Sequence, residues 1–163
     1  MREALNAFLL RYHHDWFWKM YLSVQNNQCS GIRRFVYICL LKRAMSKHCC
    51  DFMIARARKG HFGAYFAGVP FLPHGLNGIV ISDQARIGKN CTIFQQVTIG
   101  VRNMEGGGAP TIGDNVLIGA GAKVLGEISV GSGAKIGANA VVLENVPEGA
   151  TVVGNPGRII KKK

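Results

Sequence analysis

The second half of the chain repeats a pattern of large apolar residues at every sixth position. The ten positions, with one interruption, are Ile81, Ile87, Ile93, Ile99, Ile112, Ile118, Val124, Val130, Ile136 and Val142. An α-helix turns once in about 3.6 residues, so it would spread a six-residue repeat over its whole surface. The period instead favours short strands joined by tight corners, with successive coils stacked about 4.8 Å apart through backbone hydrogen bonds.

A second apolar column, four positions after the first, supports the same interpretation. Its members are mostly small: Ala85, Cys91, Val97, Val116, Ala122, Ile128, Ala134, Ala140 and Val146. Asn103 alone breaks this column, at the point where the repeat itself is interrupted. An ordinary β-sandwich is the alternative, but alternating strands do not require a six-residue register. We therefore expect a mainly β chain folded as a coil, with glycine at corners that need unusual torsions.

The interruption predicts a loop that protrudes from one corner. Ile99 and Ile112 are 13 positions apart instead of 6 or 12, which leaves residues 101–110 (VRNMEGGGAP) outside the repeat. Long glycine-rich excursions from a rigid scaffold are often functional. A tolerated insertion without function is the alternative.

The first 59 residues have a different character and predict an N-terminal helical cap. Leu5, Leu9, Tyr12, Trp16 and Met20 recur at intervals of three and four, which gives one apolar stripe on a helix. We expect helices that cover the open edge of the coil. The predicted organisation is a cap over residues 1–59 and a β-helical domain over residues 60–163, which includes the loop and a C-terminal tail.

Charge adds a possible surface role for the cap. The chain carries a net charge of +11, and residues 1–59 hold 11 of its 20 Lys and Arg but only 3 of its 9 Asp and Glu. A solvated basic face and attraction to an anionic membrane surface or a lipid-linked acceptor both fit. Nucleic-acid binding does not, because no recognised module is present and the aromatic residues follow core spacing. Five cysteines without a CxxC motif favour reduced thiols, hence a cytoplasmic protein that could sit at the inner membrane face.

One histidine stands at the start of the repeat. His74 is followed by Gly75 and preceded by Pro73, so irregular backbone is expected around it. An imidazole is the simplest general base near neutral pH. From the residues alone, a lone histidine is more often structural, and that is the alternative.

Four blocks in order make the region from about His61 to Ile160 resemble the serine acetyltransferase branch of the hexapeptide-repeat acyltransferases. They are HGLNGIV (74–80), QQVTIG (95–100), IGAGAK (118–123) and GNPGRI (154–159). The resemblance implies a left-handed parallel β-helix that assembles as a homotrimer, with each active site shared by two subunits. It also implies that His74 deprotonates an acceptor hydroxyl, which then attacks acetyl-CoA, and that no metal is required.

The same resemblance assigns the remaining candidate residues. Acetyl-CoA would lie in a groove between neighbouring β-helices, against small residues and near cations that meet its phosphates: Gly119, Ala120, Ala138, Arg158 and Lys161. The polar candidates for contacts with the acceptor are Asn77, Asp83, Gln95 and Gln96.

Departures from the branch concern recognition of the acceptor. Where serine acetyltransferases have an aspartate before the histidine this chain has Pro73, and Lys59 is the nearest equivalent of an earlier aspartate. Gly108-Ala109 replace the Arg-His pair before the proline that closes the loop. We therefore predict an O-acetyltransferase whose acceptor is a sugar hydroxyl of a surface polysaccharide or its precursor. Serine O-acetyltransferase and an inactive β-helical scaffold subunit are the alternatives.

Overall fold

A computed structural model describes residues 18–26, 28–33, 36, 38–40, 64–103 and 107–160. Helix α1 covers residues 18–25, and residues 31–33, 36 and 38–40 are also helical. The rest of the described chain is built of thirteen strands of two or three residues. Strands β1 to β13 are Tyr65–Phe66, Val80–Ile81, Arg86–Ile87, Thr92–Ile93, Thr98–Gly100, Thr111–Ile112, Leu117–Ile118, Lys123–Leu125, Ser129–Val130, Lys135–Ile136, Val141–Val142, Thr151–Val153 and Arg158–Ile160.

The strands form three sheets that wrap around one axis. Sheet A contains β2, β5, β8 and β11, sheet B contains β1, β3, β6 and β9, and sheet C contains β4, β7, β10, β12 and β13. From β1 to β12, strands that follow one another along the chain lie in different sheets, whereas β12 and β13 both lie in sheet C. All pairings are parallel except that of β12 with β13. This is a left-handed parallel β-helix, so the fold prediction is confirmed.

The core is the pair of columns that the sequence pattern predicts. All ten key Ile and Val side chains are at most 2% exposed, and each aligns with its counterpart in the next coil. The second column is buried as well, apart from Ile128, which is half-buried. Asn103, where the column breaks, is exposed. The six-residue period therefore reports directly which side chains point inward.

Helix α1 packs against the first coil. The rings of Trp18 and Tyr21 stack edge-on against Phe66, with centroids 4.8 and 5.5 Å away. The Tyr21 hydroxyl donates to the carbonyl of Ala64 at 2.6 Å, and burial raises the pKa of this phenol well above its usual value. The Gln25 amide pairs with both the N–H and the carbonyl of Phe66, each at 2.9 Å. These bonds satisfy backbone groups that the edge strand β1 would otherwise leave open. Most of the predicted cap over residues 1–59 lies outside the described residues.

At the other end, the coil continues one strand further than the hexad count indicates. Val146 still bridges to Val130, and β12 aligns Val152 with Ile136 in sheet C. Only β13 departs from the coil, when it turns back antiparallel onto β12. The departure from the coil is therefore confined to β13, because β12 finds regular parallel partners.

Candidate functional site

Seven of the predicted site residues lie on one corner of the coil. This corner, which we call the His74 corner, joins sheet C to sheet A and consists of residues 72–79, 94–97, 119–122 and 137–140. It contains His74, Asn77, Gln95, Gln96, Gly119, Ala120 and Ala138. The next corner, which joins sheet A to sheet B, is called the loop corner and consists of residues 82–85, 101–103, 107–110, 126–128 and 143–145.

The backbone around His74 is irregular but anchored on both sides. Leu72 and Leu76 are buried in the core, and Gly75 donates its N–H to the carbonyl of Leu72 at 3.0 Å. Gly75 adopts a φ of 65°, which favours glycine. The His74 side chain is consequently exposed, with its ring centroid 5.9 Å from that of Phe94 in the next coil. The imidazole is thus presented to solvent from a fixed turn.

A hydrogen-bonded contact links the turn that carries His74 to the next coil through Gln96. The Gln96 N–H donates to the carbonyl of Asn77 at 2.9 Å. Gln96 has a φ of 59°, whereas the other non-glycine residues with positive φ in the described chain are all asparagines. A Cβ on Gly78 would lie 3.1 Å from Cγ of Gln96, so the absence of a side chain there gives Gln96 its space. Left-handed torsions outside Gly and Asn are uncommon and often mark functional positions.

Lys123 secures this corner from the following coil. Its Nζ donates to the carbonyl of Gln96 at 2.9 Å and to that of Gly121 at 3.0 Å. Sequence reasoning missed Lys123 as part of the site. It is the last residue of the IGAGAK block, but only the contacts across coils show what its side chain does.

Gln95 has the one buried and unpartnered side-chain polar atom found in the described residues. Its Oε1 is buried without a hydrogen-bond partner, while its backbone carbonyl accepts from the N–H of Gly121 at 2.9 Å. Leaving a buried acceptor unpaired costs about 1–3 kcal/mol. This cost marks Gln95 as an unusual position in the corner.

The small residues of the corner divide into two kinds. A Cβ on Gly119 would lie 2.6 Å from the backbone nitrogen of Ala138, so the coils stack closely only with glycine there. Gly119 is buried and presents no surface to a ligand. Ala120 is half-buried and Ala138 is exposed. Their short side chains leave space at the surface for an extended ligand.

The other predicted residues lie away from the His74 corner. Asp83 lies in the loop corner, where the Ser82 hydroxyl is 3.4 Å from its Oδ1. Arg158 is exposed at the start of β13, and Lys161 lies outside the described residues. The sequence alone does not show which corner a residue occupies. Asp83 was therefore predicted to share the acceptor site with Asn77, Gln95 and Gln96, although the fold places it in a different corner.

Other features predicted from composition can be located in part. Cys91 is buried in the second column, and burial is the main cause that raises the pKa of its thiol. Within the described ranges, no helix is long and apolar enough to cross a membrane, and no three His, Cys, Asp or Glu side chains group as metal ligands. The proposed membrane-surface contact rests on basic residues that mostly lie outside those ranges.

We expect loss of the Lys123 ammonium to loosen the His74 corner. Lys123→Met should lower the free energy of unfolding by about 1 kcal/mol, since it removes two hydrogen bonds to backbone carbonyls at a partly exposed site. Amide hydrogen exchange should become faster at Gln96 and Gly121. Lys89→Met removes an exposed ammonium from a different corner and should change neither quantity. Equal exchange rates in both variants would show that Lys123 does not secure the corner.

Known proteins with similar sequences indicate the class of protein that this repeat resembles. The family model described as bacterial transferase hexapeptide (six repeats) matches residues 109–144. The chain is 52% identical over 103 residues to the serine acetyltransferase of Staphylococcus xylosus, a match that covers 63% of this chain and 47% of that protein. It is 54% identical over 101 residues to the serine acetyltransferase of Bacillus licheniformis, with 61% and 46% covered.

A solved structure of a serine acetyltransferase has a similar fold. The structure of soybean serine acetyltransferase complexed with serine is 37% identical, with a TM-score of 0.68 over 86% of this chain and 53% of that chain. The chain spans about half the length of the curated relatives it matches. Together the findings support the hexapeptide-repeat acyltransferase family for this chain.

The predicted sugar acceptor of polysaccharide biosynthesis is wrong, because the similar proteins at 52–54% identity are serine acetyltransferases. That prediction rested on the absence of the branch's acceptor-binding residues, namely the aspartate replaced by Pro73 and the Arg-His pair replaced by Gly108-Ala109. The reasoning failed because a missing group at one position can be replaced by a group from another position. The findings favour the serine O-acetyltransferase alternative.

Proposed function

We propose that this chain is an acetyl-CoA-dependent serine O-acetyltransferase and that His74 is its general base. The observation that carries the proposal is the exposed imidazole of His74 on a corner that also holds the unpartnered Gln95 Oε1, in a coil whose relatives are serine acetyltransferases. The chain spans about half the length of those relatives, so similarity alone does not transfer their activity to it. The activity is therefore proposed from the site of this chain.

The proposed reaction transfers the acetyl group from CoA to the serine oxygen and the hydroxyl proton from serine to the CoA sulfur by way of His74. His74 takes the hydroxyl proton of L-serine onto an imidazole nitrogen while the serine oxygen forms a bond to the thioester carbonyl carbon. The carbon–sulfur bond then breaks, and the His74 imidazolium returns the proton to the departing sulfur. The products are O-acetyl-L-serine and free CoA, so atoms and charge balance.

Acetyl-CoA is assigned to the surface of the His74 corner. Ala120 and Ala138 leave room for the pantetheine arm beside the backbone. Arg158 is the described cation proposed to meet the CoA phosphates, with Lys161 assigned the same role. Gln96 and Asn77 are proposed to shape the acceptor side, because their backbone contact sets the turn that carries His74.

The proposed assembly is a homotrimer in which two subunits complete each site. Strands of sheet A begin at the His74 corner and end at the loop corner, so the two corners lie at opposite edges of this sheet. The loop of one copy therefore does not share a corner with its own His74. A neighbouring copy can supply the loop to that histidine, as closed cyclic assembly allows.

The proposal is tested by the acceptor dependence of CoA release. With acetyl-CoA as donor, L-serine should support saturable thiol release, and D-serine and L-alanine should serve as poor or inactive acceptors. L-alanine is the matched control, because it has the same charges and lacks only the hydroxyl. Thiol release that is independent of L-serine, or absent with it, would overturn the proposed function.

A further inference from the structure

A cavity at the loop corner carries two opposite charges that the reaction described above does not use. The space measures about 300 Å³ and lies between the first and last parts of the loop and the two coils that follow. Its lining residues are Arg102, Asn103, Gly107, Gly108, Leu125, Gly126, Glu127, Ile128 and Leu143. Apart from the two charged residues and Asn103, the lining is glycine and aliphatic side chains.

Arg102 and Glu127 line the same cavity without neutralising each other. No ion pair within 4.0 Å joins them, or either of them to another side chain, among the described residues. A guanidinium and a carboxylate on one small cavity are complementary to the carboxylate and ammonium of an α-amino acid zwitterion. The site therefore suits a free amino acid better than it suits a neutral acceptor.

Two glycines give these side chains their positions. A Cβ on Gly108 would lie 2.8 Å from Cγ and 2.9 Å from Cδ of Glu127, so the Glu127 side chain occupies the space that a larger residue at 108 would need. A Cβ on Gly126 would lie 3.6 Å from Cβ of Arg102, so the arginine stem lies against bare backbone. Gly108 occupies the position that the arginine of the Arg-His pair has in serine acetyltransferases. The glycine at this position leaves the space that the Glu127 side chain occupies.

We propose that Arg102 binds the carboxylate and Glu127 the ammonium of L-serine, and that this cavity presents the serine hydroxyl to His74 of a neighbouring copy. The inference rests on the proposed function and deepens it, because it names the groups that select the acceptor. It also explains how the chain can use serine although Gly108-Ala109 replace the branch's Arg-His pair.

Arg102→Gln tests carboxylate recognition. The KM for L-serine should rise about 10- to 100-fold, the range expected for a lost charge-assisted hydrogen bond, while the KM for acetyl-CoA and the unfolding midpoint stay unchanged. Arg102→Lys should recover part of the loss. Ethanolamine lacks the carboxylate, so the preference for L-serine over ethanolamine should fall in Arg102→Gln. The control is Arg86→Gln, which removes a guanidinium from the outer face of sheet B beside Tyr65 and should leave the KM for L-serine unchanged.

Glu127→Gln tests ammonium recognition in the same assay. The KM for L-serine should again rise, and an acceptor without an ammonium, such as L-glycerate, should be affected much less. If wild-type protein turns over L-serine but both variants keep its KM, the inference is overturned while the proposed function stands. If wild-type protein does not use L-serine, the proposed function itself has failed.

Mixing two impaired variants tests whether the cavity and His74 come from different copies. Co-expressed His74→Ala and Arg102→Ala subunits should assemble sites in which one copy supplies an intact His74 and its neighbour an intact Arg102. Random assembly in equal amounts predicts activity at low serine of about a quarter of the wild-type value. Activity no higher than the mean of the two variants assayed separately would overturn the shared site.

Discussion

His74→Ala should lower kcat for acetyl transfer to L-serine by about 10²- to 10⁴-fold, the range expected when a positioned general base is removed. The imidazole is exposed and stacks only loosely on Phe94, so its loss should not disturb the buried columns of the coil. Initial rates of thiol release at saturating acetyl-CoA and L-serine measure the effect. The unfolding midpoint and the binding of CoA should remain those of the wild type.

A second histidine gives the matched control for this experiment. His48→Ala removes an imidazole that none of the site arguments uses, and it should leave kcat unchanged. If His74→Ala retained the wild-type kcat, the base would be another group and the assignment of the His74 corner would be wrong.

Ile118→Ala should lower the free energy of unfolding by about 2–5 kcal/mol, the usual cost of deleting a buried branched side chain. Ile118 is completely buried in β7, the strand between β4 and β10 in sheet C, and it aligns with Ile93 and Ile136 in the coils on either side. Its truncation would leave a cavity that the stacked backbone cannot close. Urea unfolding at a fixed protein concentration measures the loss.

The neighbouring residue in the same strand provides the control. Leu117 points outward and is 38% exposed. Leu117→Ala should change the free energy of unfolding by less than about 1 kcal/mol. Equal losses in the two variants would contradict the inward and outward assignment that the six-residue period predicts.

The coil was predictable from the sequence because its period leaves little choice. Residues such as Ile81 and Ile99 can repeat every six positions and all face inward only if each side of the coil takes one hexad. The same register locates the corners, and it explains why an interruption between Ile99 and Ile112 must be extruded as a loop. The predicted apolar stripe included Met20, which is buried, but neither Trp18 nor Tyr21, so the packing of these two rings on Phe66 was not predicted.

The candidate site was predictable only where the type of residue itself indicates a chemical role. His74 stands out as an imidazole, whereas Lys123 looks like any surface lysine until the structure places its Nζ beside the Gln96 carbonyl. The left-handed torsion of Gln96 is likewise hidden, because that conformation is expected of glycine or asparagine. The packing of Glu127 over Gly108 depends on two coils lying side by side, which no local pattern states.

The error about the acceptor has a physical lesson of the same kind. The missing Arg-His pair shows that one way of holding serine is absent, but it does not show that serine is not held. Arg102 and Glu127 line a cavity that Gly108 also lines, and they have the charges that serine requires. Recognition depends on where charges end up in space, so sequence positions alone do not decide it.

Identification of the acetylated product tests the central claim most directly. Wild-type protein is incubated with acetyl-CoA and L-serine, and the reaction is followed by mass spectrometry together with thiol release. The account predicts O-acetyl-L-serine in an amount equal to the CoA released, with both products formed about 10²- to 10⁴-fold more slowly by His74→Ala. CoA released as free acetate accumulates without O-acetyl-L-serine, or product formed equally well by His74→Ala, would contradict it.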